Sequence, residues 1–154
     1  MKFRRMLNNE ELNVLIIGNN PTELSRVFES LEGIPGKHIS AEIAFDLETI
    51  FERLARFTPK FILIDDNIGR GELKTAVSAL LKYRKTKRIP ITVLKNSNYH
   101  EAINSGVMNY ILKNDLTGES LYRALTNSVK FKNTQRYLFK SYKKRRRQIQ
   151  RILK

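Results

Sequence analysis

Short apolar runs recur along the chain at Val14–Ile17 (VLII), Phe61–Ile64 (FILI), Ile91–Leu94 (ITVL) and Tyr110–Leu112 (YIL), and a weaker alternating run spans Ile39 to Phe45. Runs this short, rich in Ile and Val, fit strands buried on both faces. Helical spacing fills the gaps. Leu24, Val27, Phe28 and Leu31 recur at i, i+3, i+4, i+7, and Leu47, Ile50, Phe51 and Leu54 repeat that spacing. Leu73, Val77, Leu80 and Leu81 form a third stripe, and Leu121, Ala124, Leu125 and Ser128 a last one. Asn20-Pro21 predicts a capped helix start, with Asp46 and Thr117 as further N-caps and Gly33 and Gly106 as stops. The segment from Tyr99 to Ser105 reads as a short, weak helix.

The order is β-α repeated five times. Strands alternating with helices pair in parallel, and right-handed crossovers put helices on both faces of the sheet. The expected fold is a doubly wound α/β domain over 1–129, followed by a basic helical extension over 130–154. Such sheets bind or react in the crevice at the carboxyl ends of their strands. The residues that follow the strands are Gly18, Asn19 and Asn20; Asp65 and Asp66; Lys95 and Asn96; Lys113 and Asn114. They are expected to meet in one cluster of carboxylates, ammonium groups and amides.

Five segments here, in order, resemble the receiver domains of bacterial response regulators. VLIIGNNP (14–21) is similar to the receiver opening, in which acidic residues follow the first strand. PKFILIDDNIG (59–69) resembles the segment bearing the phosphoacceptor aspartate, which falls on Asp65. RIPITVLKN (88–96) resembles the fourth strand, with Lys95 where a Thr or Ser normally stands. SGVMNYILKN (105–114) resembles the fifth, with Tyr110 at the switch aromatic and Lys113 at the pocket lysine. The following DLTGESLYRAL looks like the last receiver helix. The likeness covers roughly residues 12–130 and implies a CheY-like, flavodoxin-like sheet in strand order 2-1-3-4-5.

Receivers of this kind take a phosphoryl group from a histidine kinase, with magnesium held by strand-one acids and the acceptor aspartate. Positioning and cation stabilisation carry that chemistry. This chain has Gly18 and Asn19 where the acidic pair belongs, and Lys95 in place of the hydroxyl. Asp66 is an additional acid, although successive strand residues point to opposite faces. The resemblance therefore implies a degenerate pseudo-receiver with weak or absent magnesium binding and no other cofactor, in which Lys95 neutralises Asp65 beside Lys113. A lysine pointing into solvent is the plain alternative for Lys95. Tyr110 is expected to be packed rather than mobile. The expected function is a non-enzymatic two-component signalling module with a histidine kinase or other signalling protein as partner. A phosphorylatable regulator using Asp65 is the alternative.

Composition narrows this further. The 154 residues contain no cysteine, which excludes disulfides and thiolate metal sites. No apolar stretch is long enough for a signal-peptide core or a membrane span, so a cytoplasmic protein is expected. His38 and His100 form no ligand pair, and no nucleophile elbow or phosphate loop appears, leaving little support for an enzyme. The net charge of +14 is uneven: 130–154 holds 11 Lys/Arg and no Asp/Glu, against 18 and 15 in the rest. Leu138, Tyr142, Ile149 and Ile152 fall on one face of the extension, interrupted by Arg145. Lys140, Lys143, Lys144, Arg146, Arg147 and Arg151 cover most of the remainder. Three readings fit, in falling order: a homodimer by helix packing, phosphate neutralisation on nucleic acid, and a helix on an anionic membrane surface.

Overall fold

A computed structural model describes residues 11–95 and 107–153. Five parallel strands form one sheet in the order β2-β1-β3-β4-β5: β1 (Leu12–Ile17), β2 (Ile39–Ala44), β3 (Phe61–Asp65), β4 (Ile91–Lys95) and β5 (Val107–Leu112). This is the strand order expected from the resemblance. Four helices are described: α1 (Pro21–Glu32), α2 (Leu47–Leu54), α3 (Arg70–Lys82) and α4 (Gly118–Leu153). The helix expected near Tyr99 to Ser105, and the stop at Gly106, lie outside the described residues.

Period-two alternation divides the core between the two faces of the sheet. Val14 and Ile16 of β1 join Phe61 and Leu63 of β3 beneath α1 and α4, where Leu24, Val27, Leu31, Leu121 and Leu125 cover them. Leu15, Ile17, Ile62 and Ile64 face the other way, against Ile50, Leu54, Leu73, Val77 and Leu80 of α2 and α3. A parallel strand buried on both sides has no polar position to spare, which is why VLII and FILI are unbroken. The strands outrun the apolar runs: β1 starts at Leu12, β3 and β4 end on Asp65 and Lys95, and β5 starts at Val107. Backbone pairing continues past the last apolar side chain, because the ladder depends on the backbone.

The caps follow local chemistry. The Asn20 side chain accepts from the N–H groups of Thr22 and Glu23 at 3.0 and 3.3 Å, with Pro21 at the first helical position. Thr117 Oγ1 accepts from the Ser120 N–H at 3.0 Å to start α4. Gly33 closes α1 in the right-handed region, with φ −71°, so it is not a left-handed stop. The glycine that space demands at this junction is Gly118. A Cβ at Gly118 would lie 2.9 Å from the Gly33 carbonyl carbon and 3.0 Å from the backbone oxygens of Gly33 and Ser30. The start of α4 thus seats directly on the end of α1.

Two predictions follow from these contacts. Gly118→Ala is expected to destabilise by about 1–3 kcal/mol, because backbone-to-Cβ overlap outweighs the helix propensity that Ala gains; thermal unfolding measures it. Asp46 caps α2 by accepting from the Thr49 hydroxyl and, at 2.7 Å, from the Thr49 N–H, and these bonds hold its carboxyl below its ordinary value. Its stabilising share is therefore complete above the ordinary carboxylate range and is lost as pH falls through the lower folded value. Asp46→Asn keeps an N-cap but is expected to flatten that part of a melting-temperature profile against pH.

Candidate functional site

The carboxyl ends of β1, β3, β4 and β5 form one edge of the sheet. Asp65 closes β3 and is 1% exposed; Lys113, in the 3-10 turn just past β5, is 4% exposed. The Lys113 ammonium lies 2.5 Å from Asp65 Oδ1 and 3.6 Å from Asp66 Oδ1. Its approach to Asp65 is a close ion pair rather than a well-aligned hydrogen bond. β4 lies between β3 and β5, so this pair bridges over the end of the intervening strand. Asp65 Oδ1 also accepts from the Asn67 N–H at 2.9 Å, which turns the chain out of β3. Asp65 Oδ2 is buried with no hydrogen-bond partner among the described residues.

Asp66 belongs to the same cluster. It begins a 3-10 turn (Asp66–Ile68), so strand alternation no longer applies to it, and its carboxylate reaches the side of the sheet that Asp65 faces. Sequence alternation alone argued against it, and the aspartate-driven turn is the local reason it joins.

Gly18 is buried, and its N–H donates to the Ala44 carbonyl at 2.9 Å. A Cβ at position 18 would meet Leu24 Cδ2 at 2.8 Å and Asp65 Cβ at 3.3 Å. No left-handed backbone calls for the glycine, and a larger side chain there would push the Leu24 methyl aside. Nothing in the sequence pattern marked Leu24 as more than a core residue of α1. Asn19 is exposed, and Asn20 is committed to capping α1.

Lys95 closes β4 and is 7% exposed, so the solvent-pointing alternative does not describe it. Its ammonium sits 4.3 Å from the centre of the Tyr110 ring. A cation over an aromatic face is favourable, the more so when partly dried. Tyr110 is half-buried and packs against the core on the α2 and α3 side of the sheet. Lys113 supplies the ion pair described for Asp65, while Lys95 is paired with the ring. The cations of the extension, Lys140, Lys143, Lys144, Arg145, Arg146, Arg147 and Arg151, are all exposed and belong to a different part of the molecule.

No protein-family model and no curated protein sequence matches the chain. Solved structures do. The receiver domain of a sensor histidine kinase from Pseudomonas aeruginosa, PA1611, aligns at TM-score 0.65 and 16% identity, covering 78% of this chain and 98% of that one. The chemotaxis response regulator CheY4 of Vibrio cholerae aligns at TM-score 0.62 and 18% identity, over 77% and 99%. The receiver domain of RcsB from Escherichia coli aligns at TM-score 0.59 and 22% identity, over 75% and 91%. The chain therefore has the fold of response-regulator receiver domains, a five-stranded CheY-like sheet, with α4 continuing beyond it. No described helix is long and apolar enough to cross a membrane.

Removing the shared cation tests what holds the strand ends. Lys113→Gln leaves two buried carboxylates facing each other and is expected to cost about 3–5 kcal/mol in urea unfolding. Adding Asp65→Asn to that variant should recover a good part of the loss, since the uncompensated charge is what destabilises.

Proposed function

We propose that this protein is a non-enzymatic signalling and interaction module of two-component type, whose strand-end pocket is held by fixed charges instead of being switched by magnesium-dependent phosphorylation of Asp65. The observation that carries this reading is the placement of the Lys113 ammonium against both Asp65 and Asp66, beside a Gly18 that offers no ligand. Two carboxylates and two ammonium groups, Lys95 included, sum to no net charge at this edge of the sheet.

Magnesium is the metal that the fold implies, and the solved Pseudomonas aeruginosa receiver carries it in its active-site cleft. It requires hard oxygen ligands in near-octahedral order and sheds water reluctantly. The donors here are two carboxylates that already share one ammonium, and among the described residues no group of three His, Asp or Glu side chains converges. An entering dication would stand beside Lys113 with no third acid to offset the repulsion. The donor set does not fit a resident magnesium ion. Without a metal, a developing phosphoryl charge would be met by the lysines alone, and metal neutralisation is a principal part of that chemistry.

On this reading the body presents one constitutive surface to a protein partner, a histidine kinase or another signalling protein. Tyr110, with Lys95 over its ring, is held in place and does not follow a phosphorylation cycle. One observation favours the alternative, a phosphorylatable regulator: Asp65 Oδ2 has no hydrogen-bond partner among the described residues, so it is chemically free to take a phosphoryl group from a donor histidine. Its burial argues the other way, because in-line transfer needs that oxygen open to the donor.

Amide NMR of the full chain with magnesium and beryllofluoride separates the two. The expected result is no change at Asp65, Lys113 or Tyr110 at millimolar magnesium. Shifts at these residues that vanish in Asp65→Asn would overturn the proposal and establish a working phosphoryl site.

A further inference from the structure

Beyond Val129, α4 leaves the body: every described side chain from Lys130 to Ile152 is exposed except the half-buried Ser141. The helix nevertheless continues unbroken to Leu153. At about 100° per residue, Arg136, Lys140, Lys143, Lys144, Arg147 and Arg151 recur at i, i+4, i+7, i+8, i+11 and i+15, within an arc of about 100°. This row of cations runs about 22 Å along the helix. The opposite side carries Leu138, Tyr142, Ile149 and Ile152, with Arg145 among them. Between 130 and 154 there is no acid to pair with any of the cations.

We propose that this cationic face of α4 docks on double-stranded DNA, along its phosphate backbone and without sequence preference. Charge complementarity selects a polyanion, since duplex DNA carries a charge about every 1.7 Å and binding releases its condensed counterions. The geometry disfavours a membrane. If the apolar row dipped into a bilayer, Arg145 in its middle would enter the acyl boundary. Pairing with a second copy is also disfavoured. The seam from Leu138 to Ile152 is two heptads long, places Arg145 against its own copy, and brings together two segments with no compensating acid. Among nucleic acids, an α-helix about 10–12 Å wide enters the major groove of B-DNA, about 12 Å across, whereas the A-form RNA groove is too narrow. Single strands are held chiefly by base stacking on aromatic faces. Here the Phe139 ring is already covered by the Lys143 ammonium, 4.8 Å from its centre, and Tyr142 lies on the side opposite the cations, which leaves Tyr137 as the one of these three exposed rings beside the cationic row. The proposal is independent of the strand-end pocket, because none of its residues lies there.

The test is fluorescence anisotropy of the full chain on a mixed-sequence duplex of about 20 base pairs across a salt series, where six phosphate contacts predict a log–log slope of about −5. Lys140→Gln/Lys144→Gln/Arg147→Gln, all exposed helix positions, should reduce that slope by about 3 and weaken binding at least tenfold at low salt. Lys74→Gln/Lys82→Gln/Lys87→Gln removes the same charge from exposed positions on the body and should leave the slope unchanged. Far-UV circular dichroism checks that helix content is retained in both. Equal losses in the two variants, or a slope near zero, would overturn the proposal. So would preference for an RNA duplex, a single strand or vesicles containing anionic lipid over the DNA duplex.

Discussion

Lys113 reaches from just past β5, over the end of β4, to the Asp65 carboxylate on β3, and both charges are almost wholly out of water. Burying either one alone would cost several kcal/mol; burying them together at 2.5 Å offsets much of that cost. The pair forms because the strands are parallel, so that their carboxyl ends share one edge, and because β5 lies only two places from β3, within reach of a lysine side chain. It therefore depends on the topology and also reinforces it, tying together strands that share no backbone hydrogen bonds. Below it the sheet is sealed on both faces by aliphatic side chains, and the polar chemistry of the body concentrates at this edge.

What the edge can do follows from its immediate neighbours. Gly18 offers no side-chain ligand, and the Leu24 methyl occupies the space beside it, so a larger residue there would have to push Leu24 aside. Asp66 enters from a tight turn begun by Asp65 itself, and places a second carboxylate within reach of the same ammonium. Lys95, the other cation, turns to the Tyr110 ring. Each charge has a counterpart supplied by the chain. The charges are matched although Asp65 Oδ2 lacks a hydrogen bond among the described residues, and this charge matching is the physical basis for reading the edge as a lock.

α4 joins two regimes in one element. Its first three turns bury Leu121, Ala124, Leu125 and Ser128, with the Ser128 hydroxyl 3.3 Å from that of Thr92 on β4, and its first residue seats on the end of α1. Past Val129 the described side chains of the same helix are exposed except the half-buried Ser141, and they carry a dense row of cations. Nothing interrupts the backbone between the two parts, so the direction of the exposed rod is set by the buried part.

Much of this was legible in the residues alone. Three- and four-residue apolar runs between helical stripes specify a parallel α/β sheet, because such a strand must be apolar on both faces and such a helix on one. Asp65 and Lys113 were legible as strand-end residues for the same reason: the apolar run stops there. The charge asymmetry of the extension is likewise a property of the sequence. Three things were decided only by the tertiary structure. Asp66 joins the pocket because a hydrogen bond turns the chain, which a strand rule cannot anticipate. Lys95 lies on Tyr110 because β4 and β5 are neighbours in a register that pairs Val93 with Tyr110, which places the two side chains within reach. The Leu24 methyl and the Asp65 Cβ close on Gly18 only once α1 and β3 have packed against the end of β1. Periodicity records which face of an element is buried; which charge meets which partner depends on distances that exist only after the elements have packed.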